Sequence, residues 1–291
     1  MADLRRGEPI LAITVTVLLT LLYLLFSGIQ IAGLFLGSLQ LPEGYTYAMY
    51  AREGFFQLLV VSMLNLVIVL CCLEFFRESK VLKVVLTLMS LCTFVMIASS
   101  AMRMIMYIRY YYLTYLRILV LWGLVLLTFL FVGVVINIFK ENFPLFRYQV
   151  AVVAVLYLAL SFAHPDYLIA RVNVANAPRE DGVTYNSFFL AREPYQDFSY
   201  LKGLSADAAP VLIPYLRELG YDMEAFYAED AVQYASEQGI WEKNSGSTRY
   251  GETGFGYYWM RKMQRNTRDF GIRTYNVSRH LVLRGFREYR K

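Results

Sequence analysis

The residues best equipped for chemistry are arginines, tyrosines and acids standing at the margins of apolar segments. The string Tyr47-Ala48-Met49-Tyr50-Ala51-Arg52-Glu53-Gly54-Phe55-Phe56 precedes an uncharged run. Arg103, Tyr107, Tyr110, Thr114 and Arg117 are spaced 4, 3, 4 and 3 apart, which places them on one helical face wherever the helix is continuous. His164, Asp166, Arg171 and Asn173 follow the last apolar run. Arg52, Arg103 and Arg117 carry guanidinium forks that match a phosphate or carboxylate in a bidentate manner. Glu53 can then act as a base, or as counter-ion to one arginine. The competing reading is a salt-bridge network that staples helix ends, with the tyrosines forming an aromatic belt. That reading is the stronger one, because charge is tolerated at a membrane interface and no nucleophile accompanies the cluster. The candidate ligand-binding set is therefore Arg52, Glu53, Arg103, Tyr107, Arg117, Asp166, Arg171 and Asn173, with no catalytic residue assigned.

Other motifs carry less. Ser199-Tyr200-Leu201-Lys202 has the Ser-x-x-Lys spacing of acyl-serine enzymes, but neither Ser-Asp-Asn nor Lys-Thr-Gly accompanies it. Gly246, Gly251, Gly254 and Gly256 lack the Gly-Lys-Ser/Thr ending of a phosphate cradle and read as a loop. Cys71, Cys72 and Cys92 sit in apolar runs and cannot build a disulfide scaffold. His164 and His280, the two histidines, leave little from which to make a zinc site, so neither metal nor cofactor is expected. Asn65 and Asn137 lie deep in apolar runs, where an amide is expected to hydrogen-bond between helices. A transport pathway would be expected to show more mid-membrane acids, so transport ranks third among the functions.

The elements that must position these residues are membrane spans. Hydrophobic residues make up 57% of the 291 and charged residues 18%, which excludes an ordinary soluble protein and a disordered one. A span needs about 20 apolar residues. Four runs carry no charge: Ile10 to Leu36, Gly54 to Leu73, Val84 to Met102 and Ile118 to Phe139. Tyr148 to Ala163 is a shorter fifth before His164 and Pro165 close it. Arg103 lies 19 residues beyond Val84, about 28 Å along a helix, so it reaches the far interface. The fold class is thus an all-α membrane protein. Its expected spans are 10–36, 54–73, 84–108, 118–139 and 148–163, and residues 164–291 form a mainly helical extramembrane domain. Between Met104 and Trp122 there is no Gly or Pro, so the third and fourth spans are expected to form a tight hairpin turning between Arg109 and Arg117.

Orientation follows the excess of Lys and Arg on short cytoplasmic segments. Arg5, Arg6, Arg77, Lys80, Lys83, Lys140 and Arg147 fall on one side; Arg52, Arg109 and Arg117, with Arg103 nearby, fall on the other. The N-terminus is therefore expected in the cytoplasm and the C-terminal region outside. The N-terminal apolar stretch is too long for a cleaved signal and lacks a small-residue cleavage site.

Residues 164–291 hold 17 Lys/Arg and 16 Asp/Glu, unevenly distributed: 257–291 has 10 basic residues and 2 acidic. Ser205 is expected to cap a helix that Gly220 closes, a second helix to run from Asp222 to Gln238, and two basic amphipathic helices to follow at Tyr257 to Phe270 and Asn276 to Phe286. Arg261, Lys262, Arg265 and Arg268 interleave with Tyr258, Trp259 and Phe270. On an outward-facing domain their partners are the protein's own acidic stretch or anionic lipid headgroups rather than nucleic acid.

The string Tyr47 to Leu58 resembles the most recognisable motif of a bacterial polytopic membrane family known only as a domain of unknown function, of the 4153/4173 type. Arg103-Met-Ile-Met-Tyr107 with Leu113-Thr114-Tyr115-Leu116-Arg117 resembles a second motif, and Asp166 to Val174 and Tyr275 to Arg279 resemble later ones. The similarity runs from about Leu21 onward. Typical members carry further spans before the segment that resembles Ile10 to Leu36, so this chain corresponds to a short member or a C-terminal portion. The resemblance implies a bacterial envelope protein in the inner membrane and supplies no reaction. The function expected is non-catalytic: envelope assembly or signalling through an anionic ligand, membrane lipids or another membrane protein at the outer interface. The alternative is a membrane-embedded enzyme on an anionic lipid-linked substrate, with Glu53 as base and the arginines as clamps.

Overall fold

The computed structural model describes residues 9–32, 47–77, 79–140, 142–176, 200–238, 255–268 and 276–288. They are helical, with no strand among them. Two compact units divide the chain: Met1–Tyr110 with Leu116–Phe162, and Tyr111–Tyr115 with Ala163–Lys291.

The first unit contains α1 (Pro9–Ile31), α2 (Tyr47–Phe75), α3 (Lys80–Tyr111), α4 (Tyr115–Phe139) and α5 (Leu145–Phe162). All five are long and apolar enough to cross a membrane, over 10–31, 55–75, 80–108, 115–139 and 145–162. The protein is therefore a polytopic helical membrane protein. The first span's expected end, 32–36, lies mostly outside the described residues. The third helix begins four residues before Val84 because nothing opposes helix at Lys80 and Lys83, whose long side chains keep their charges at the interface. It ends where Tyr112 turns left-handed, at φ 63°, and α4 restarts at Tyr115. The expected tight hairpin between Arg109 and Arg117 is thus present, with only 112–114 outside helix. The break also ends the continuous face on which Thr114 and Arg117 were expected to extend Arg103 and Tyr107.

Two apolar clusters build the core of this unit. Ala12, Val69, Cys72, Leu82, Leu86, Met89, Val134 and Ile138 form one. Phe55, Ile97, Met104, Leu124, Leu127 and Phe131 form the other. Because Phe55 shares a cluster with Met104 while Cys72 shares one with Leu82, α2 and α3 run antiparallel. Helix α5 buries no residue fully. It is tied to α4 by Trp122 Nε1, which donates to the Leu156 carbonyl at 2.9 Å, and by the Tyr148 hydroxyl, which donates to the Phe129 carbonyl at 3.1 Å. Gly133 lets the Tyr148 ring lie against the α4 backbone, where any Cβ would collide with it.

In the second unit, His164 adopts a left-handed conformation at φ 45° and Pro165 starts α6 (Pro165–Ala175). Proline disfavours helical geometry in the residue before it and is pre-set for the first helical position, so the chain must break at this dipeptide. Next come a 3₁₀ turn at Tyr200–Gly203 and another at Ala206–Ala208, leading into α7 (Ala209–Glu218). Ser205 caps this segment as expected, accepting from the Asp207 N–H, and Gly220 follows its end at φ 79°.

The single helix expected from Asp222 to Gln238 is two elements. Asp222 caps a 3₁₀ turn (Met223–Phe226), and Asp230 caps α8 (Ala231–Glu237) by accepting from the N–H groups of Val232 and Gln233. Two competing N-caps eight residues apart broke the run. Helices α9 (Phe255–Arg268) and α10 (Val277–Glu288) match the two basic amphipathic segments. Much of the proposed Gly-rich loop, 240–256, lies outside the described residues, but Phe255 and Gly256 are helical. The core of this unit joins Leu212, Ile213 and Leu216 to Trp259, Met260, Met263, Val282 and Phe286, with the Phe226 ring stacked on Phe286 at 3.9 Å. Gln264 locks it. Its amide donates to the carbonyls of Ala225, Phe226 and Ala228 and accepts from the Ala231 N–H, closing the gap between the two broken pieces.

Candidate arginine site in the membrane unit

Helix α3 carries Arg103 and Tyr107 one turn apart, and α4 carries Arg117 in its first turn. Both guanidinium groups belong to residues only 8% exposed. Arg103 Nη2 donates to Gln30 Oε1 at 3.1 Å, and the Ser99 hydroxyl donates to the same oxygen at 2.8 Å. A single amide of α1 therefore collects two donors from successive turns of α3. The Arg117 guanidinium carbon lies over the Tyr107 ring, 4.4 Å from its centroid, a cation–π geometry. Gln30 accepts from Arg103, and Tyr107 presents its ring face to Arg117, so these contacts orient the two guanidinium groups. Arg52 and Glu53 open α2, but their side chains lie outside the described residues, and with them the expected Arg103–Glu53 pairing.

The remaining candidates act within the second unit. Asp166 Oδ2 accepts from the Ser205 N–H at 2.9 Å. Asn173, 2% exposed, uses both ends of its amide on one residue: Oδ1 accepts from the Leu113 N–H at 2.7 Å, and Nδ2 donates to the Leu113 carbonyl at 2.9 Å. These two residues hold backbone in place. Arg171 is exposed on α6 and makes no hydrogen bond or ion pair among the described residues. His164 Nδ1 lies 3.3 Å from Asp207 Oδ2, and the Ser278 hydroxyl donates to the other oxygen of Asp207. Aspartate here bridges serine and histidine, so the serine lacks the adjacent imidazole that would activate it.

The basic tail finds partners in its own unit. Arg261 pairs with Asp230 at 2.8 Å, and Lys262 donates to the Gly203 and Leu204 carbonyls. Of the two asparagines expected to bond between helices, Asn65 bonds across to Thr93 at 3.0 Å, whereas Asn137 makes no hydrogen bond among the described residues. No group of three His, Cys, Asp or Glu placed to hold a metal occurs among them. Gln30 was missed as a site residue. Its signal was present: Thr16, Thr20, Ser27 and Gln30 interrupt an apolar run at spacings of 4, 7 and 3, a polar stripe on one helical face.

A family model described as a domain of unknown function matches residues 2–215. No curated protein and no solved structure matches the chain.

Proposed function

The chain belongs to the DUF4153 family, and from that premise we propose that it is a non-catalytic component of the bacterial inner membrane that binds an anionic headgroup or partner through Arg103 and Arg117. In this reading the N-terminus is cytoplasmic and the second unit extracytoplasmic, as the basic residues on alternate loops favour. The site then lies at the outer interface. The observation that carries the proposal is two arginines, each 8% exposed, one held by the Gln30 amide and the other laid over the Tyr107 ring inside an apolar helical bundle. Charge buried in a membrane protein marks function by default, and a planar guanidinium with five donors suits an anionic oxygen group. Ser99 strengthens the reading, because it polarises the same Gln30 oxygen that holds Arg103 and so fixes the side chain's aim.

The test is native mass spectrometry of the protein released from bacterial membranes. The wild type should retain a phosphate-bearing lipid that Arg103→Gln and Arg117→Gln each lose by about tenfold or more while remaining folded. Equal retention by both variants would overturn the assignment.

A further inference from the structure

A cleft of about 240 Å³ in the second unit is lined by Glu229, Asp230, Gln233, Arg261, Gln264 and Arg265. It lies beyond residue 215, where the family match ends. Two elements make its walls. Helix α9 supplies Gln264 and, one turn apart, Arg261 and Arg265; the chain entering α8 supplies Glu229, Asp230 and Gln233. The walls are fixed to each other. Gln264, 6% exposed, bonds to the backbone of Ala225, Phe226, Ala228 and Ala231. Asp230 spends Oδ1 on the Val232 and Gln233 N–H groups and Oδ2 on Arg261. Other groups on the lining are not spent. Arg265 makes no hydrogen bond or ion pair among the described residues, so it does not pair with Glu229 on the same lining. Gln233 Nε2 donates to Glu237 Oε1 at 2.8 Å. An ionised carboxylate only accepts, so the amide orientation is settled, and Gln233 Oε1 is the acceptor left over.

Two arginines and two acids line one cleft, so their formal charges cancel, yet Arg265 and Glu229 stand apart in it. We propose that the cleft binds a small zwitterion carrying a carboxylate and an ammonium group, the chemistry of a free amino acid. Arg265 offers the carboxylate a planar fork of N–H donors, and Arg261, held in place by Asp230, adds positive charge one turn away. Glu229 and Gln233 Oε1 are acceptors for the ammonium protons. A lone oxyanion such as phosphate is opposed by Glu229 and Asp230, and a lone amine by the two arginines, whereas a ligand bearing both signs meets a partner for each. The cleft is smaller than the roughly 300–1,000 Å³ that drug-sized ligands occupy, which restricts it to a small molecule. Its residues belong to a different unit from Arg103 and Arg117, so the two proposals stand or fall independently.

The experiment melts the full chain in lipid nanodiscs with a millimolar pool of the twenty free amino acids, and separately with acetate, methylamine or inorganic phosphate at matched concentration and ionic strength. The amino-acid pool should raise the melting temperature by about 2–4 °C, and the three single-charge probes should not. Arg265→Gln and Glu229→Gln should each abolish the shift, whereas Arg284→Gln, on α10 and outside the cleft, should keep it. Arg265 makes no bond that folding would lose, so its variant keeps the test falsifiable. No shift with the pool would overturn the proposal, as would a shift that survives Arg265→Gln. An equal shift with acetate or phosphate alone would overturn it too, by making the cleft a simple anion site.

Discussion

Gln30 is the residue on which the arginine site turns. It accepts from both Ser99 and Arg103, so replacing it with leucine leaves a hydroxyl and a charged donor without that acceptor inside the membrane unit. We expect Gln30→Leu to lower stability by about 1–3 kcal/mol, measured by thermal melting in detergent, and to release the bound anion. Gln30→Glu should keep the stability and still weaken anion binding, because a carboxylate there competes for Arg103. If both variants keep the ligand, Gln30 does not aim the arginine. The sequence named Arg103, Tyr107 and Arg117 because charge and aromatic rings stand out against an apolar background. Gln30 escaped notice because one neutral amide in a 27-residue run looks like noise until its spacing to Thr16, Thr20 and Ser27 is read as a face. Asp166 and Asn173 were legible as polar residues that follow the last apolar run. Their role as backbone clamps was not, because their partners lie 39 and 60 residues away.

At the scale of elements, the five spans were legible because each is an uncharged run long enough to satisfy the bilayer, whatever packs around it. Their ends were not, since α3 continues into Lys80 and out to Tyr111, where amphipathic side chains keep helix going beyond the apolar stretch. The helix boundary that matters most is the α3–α4 tip, held by Asn173 on Leu113 and by Tyr200, whose hydroxyl accepts from the Tyr115 N–H at 3.2 Å. Asn173→Ala would orphan a buried backbone donor and acceptor together, so we expect a loss of about 2–4 kcal/mol. Hydrogen exchange at the Leu113 amide should rise in parallel. Unchanged protection there would mean the tip holds itself.

For the whole molecule, one forecast concerns pH. The Tyr234 hydroxyl donates to Asp222 Oδ2 at 2.6 Å, and that bond to a carboxylate pushes its pKa up to about 12. Burial also raises Tyr221 and Tyr257 above the ordinary value near 10. Each is protonated more tightly in the folded state than in the unfolded one, so the stability they contribute is complete below about pH 10. It declines as pH rises from there through about 12. Melting curves of the second unit should therefore be flat across neutral pH and fall above 10, and Tyr234→Phe should make that fall shallower. A second forecast concerns topology: a reporter active only outside the cytoplasm, fused after Lys291, should be active. A silent reporter would reverse the orientation and move the arginine site to the inner face.

The clasp at the α3–α4 tip also sets an order of events during synthesis. Leu113 and Asn173 are separated by 60 residues, which a ribosome adds in roughly 3–12 s at typical bacterial and eukaryotic rates. For the part of that interval after Phe139 has been added, the two membrane helices exist as a pair while the side chain that fastens their connection has not been made. The hairpin must therefore enter the bilayer unfastened, and α5 must be made before the fastener emerges. A ribosome stalled shortly after Phe162 would hold a chain whose spans are all present and whose tip is still open to a protease, and release past Asn173 would close it.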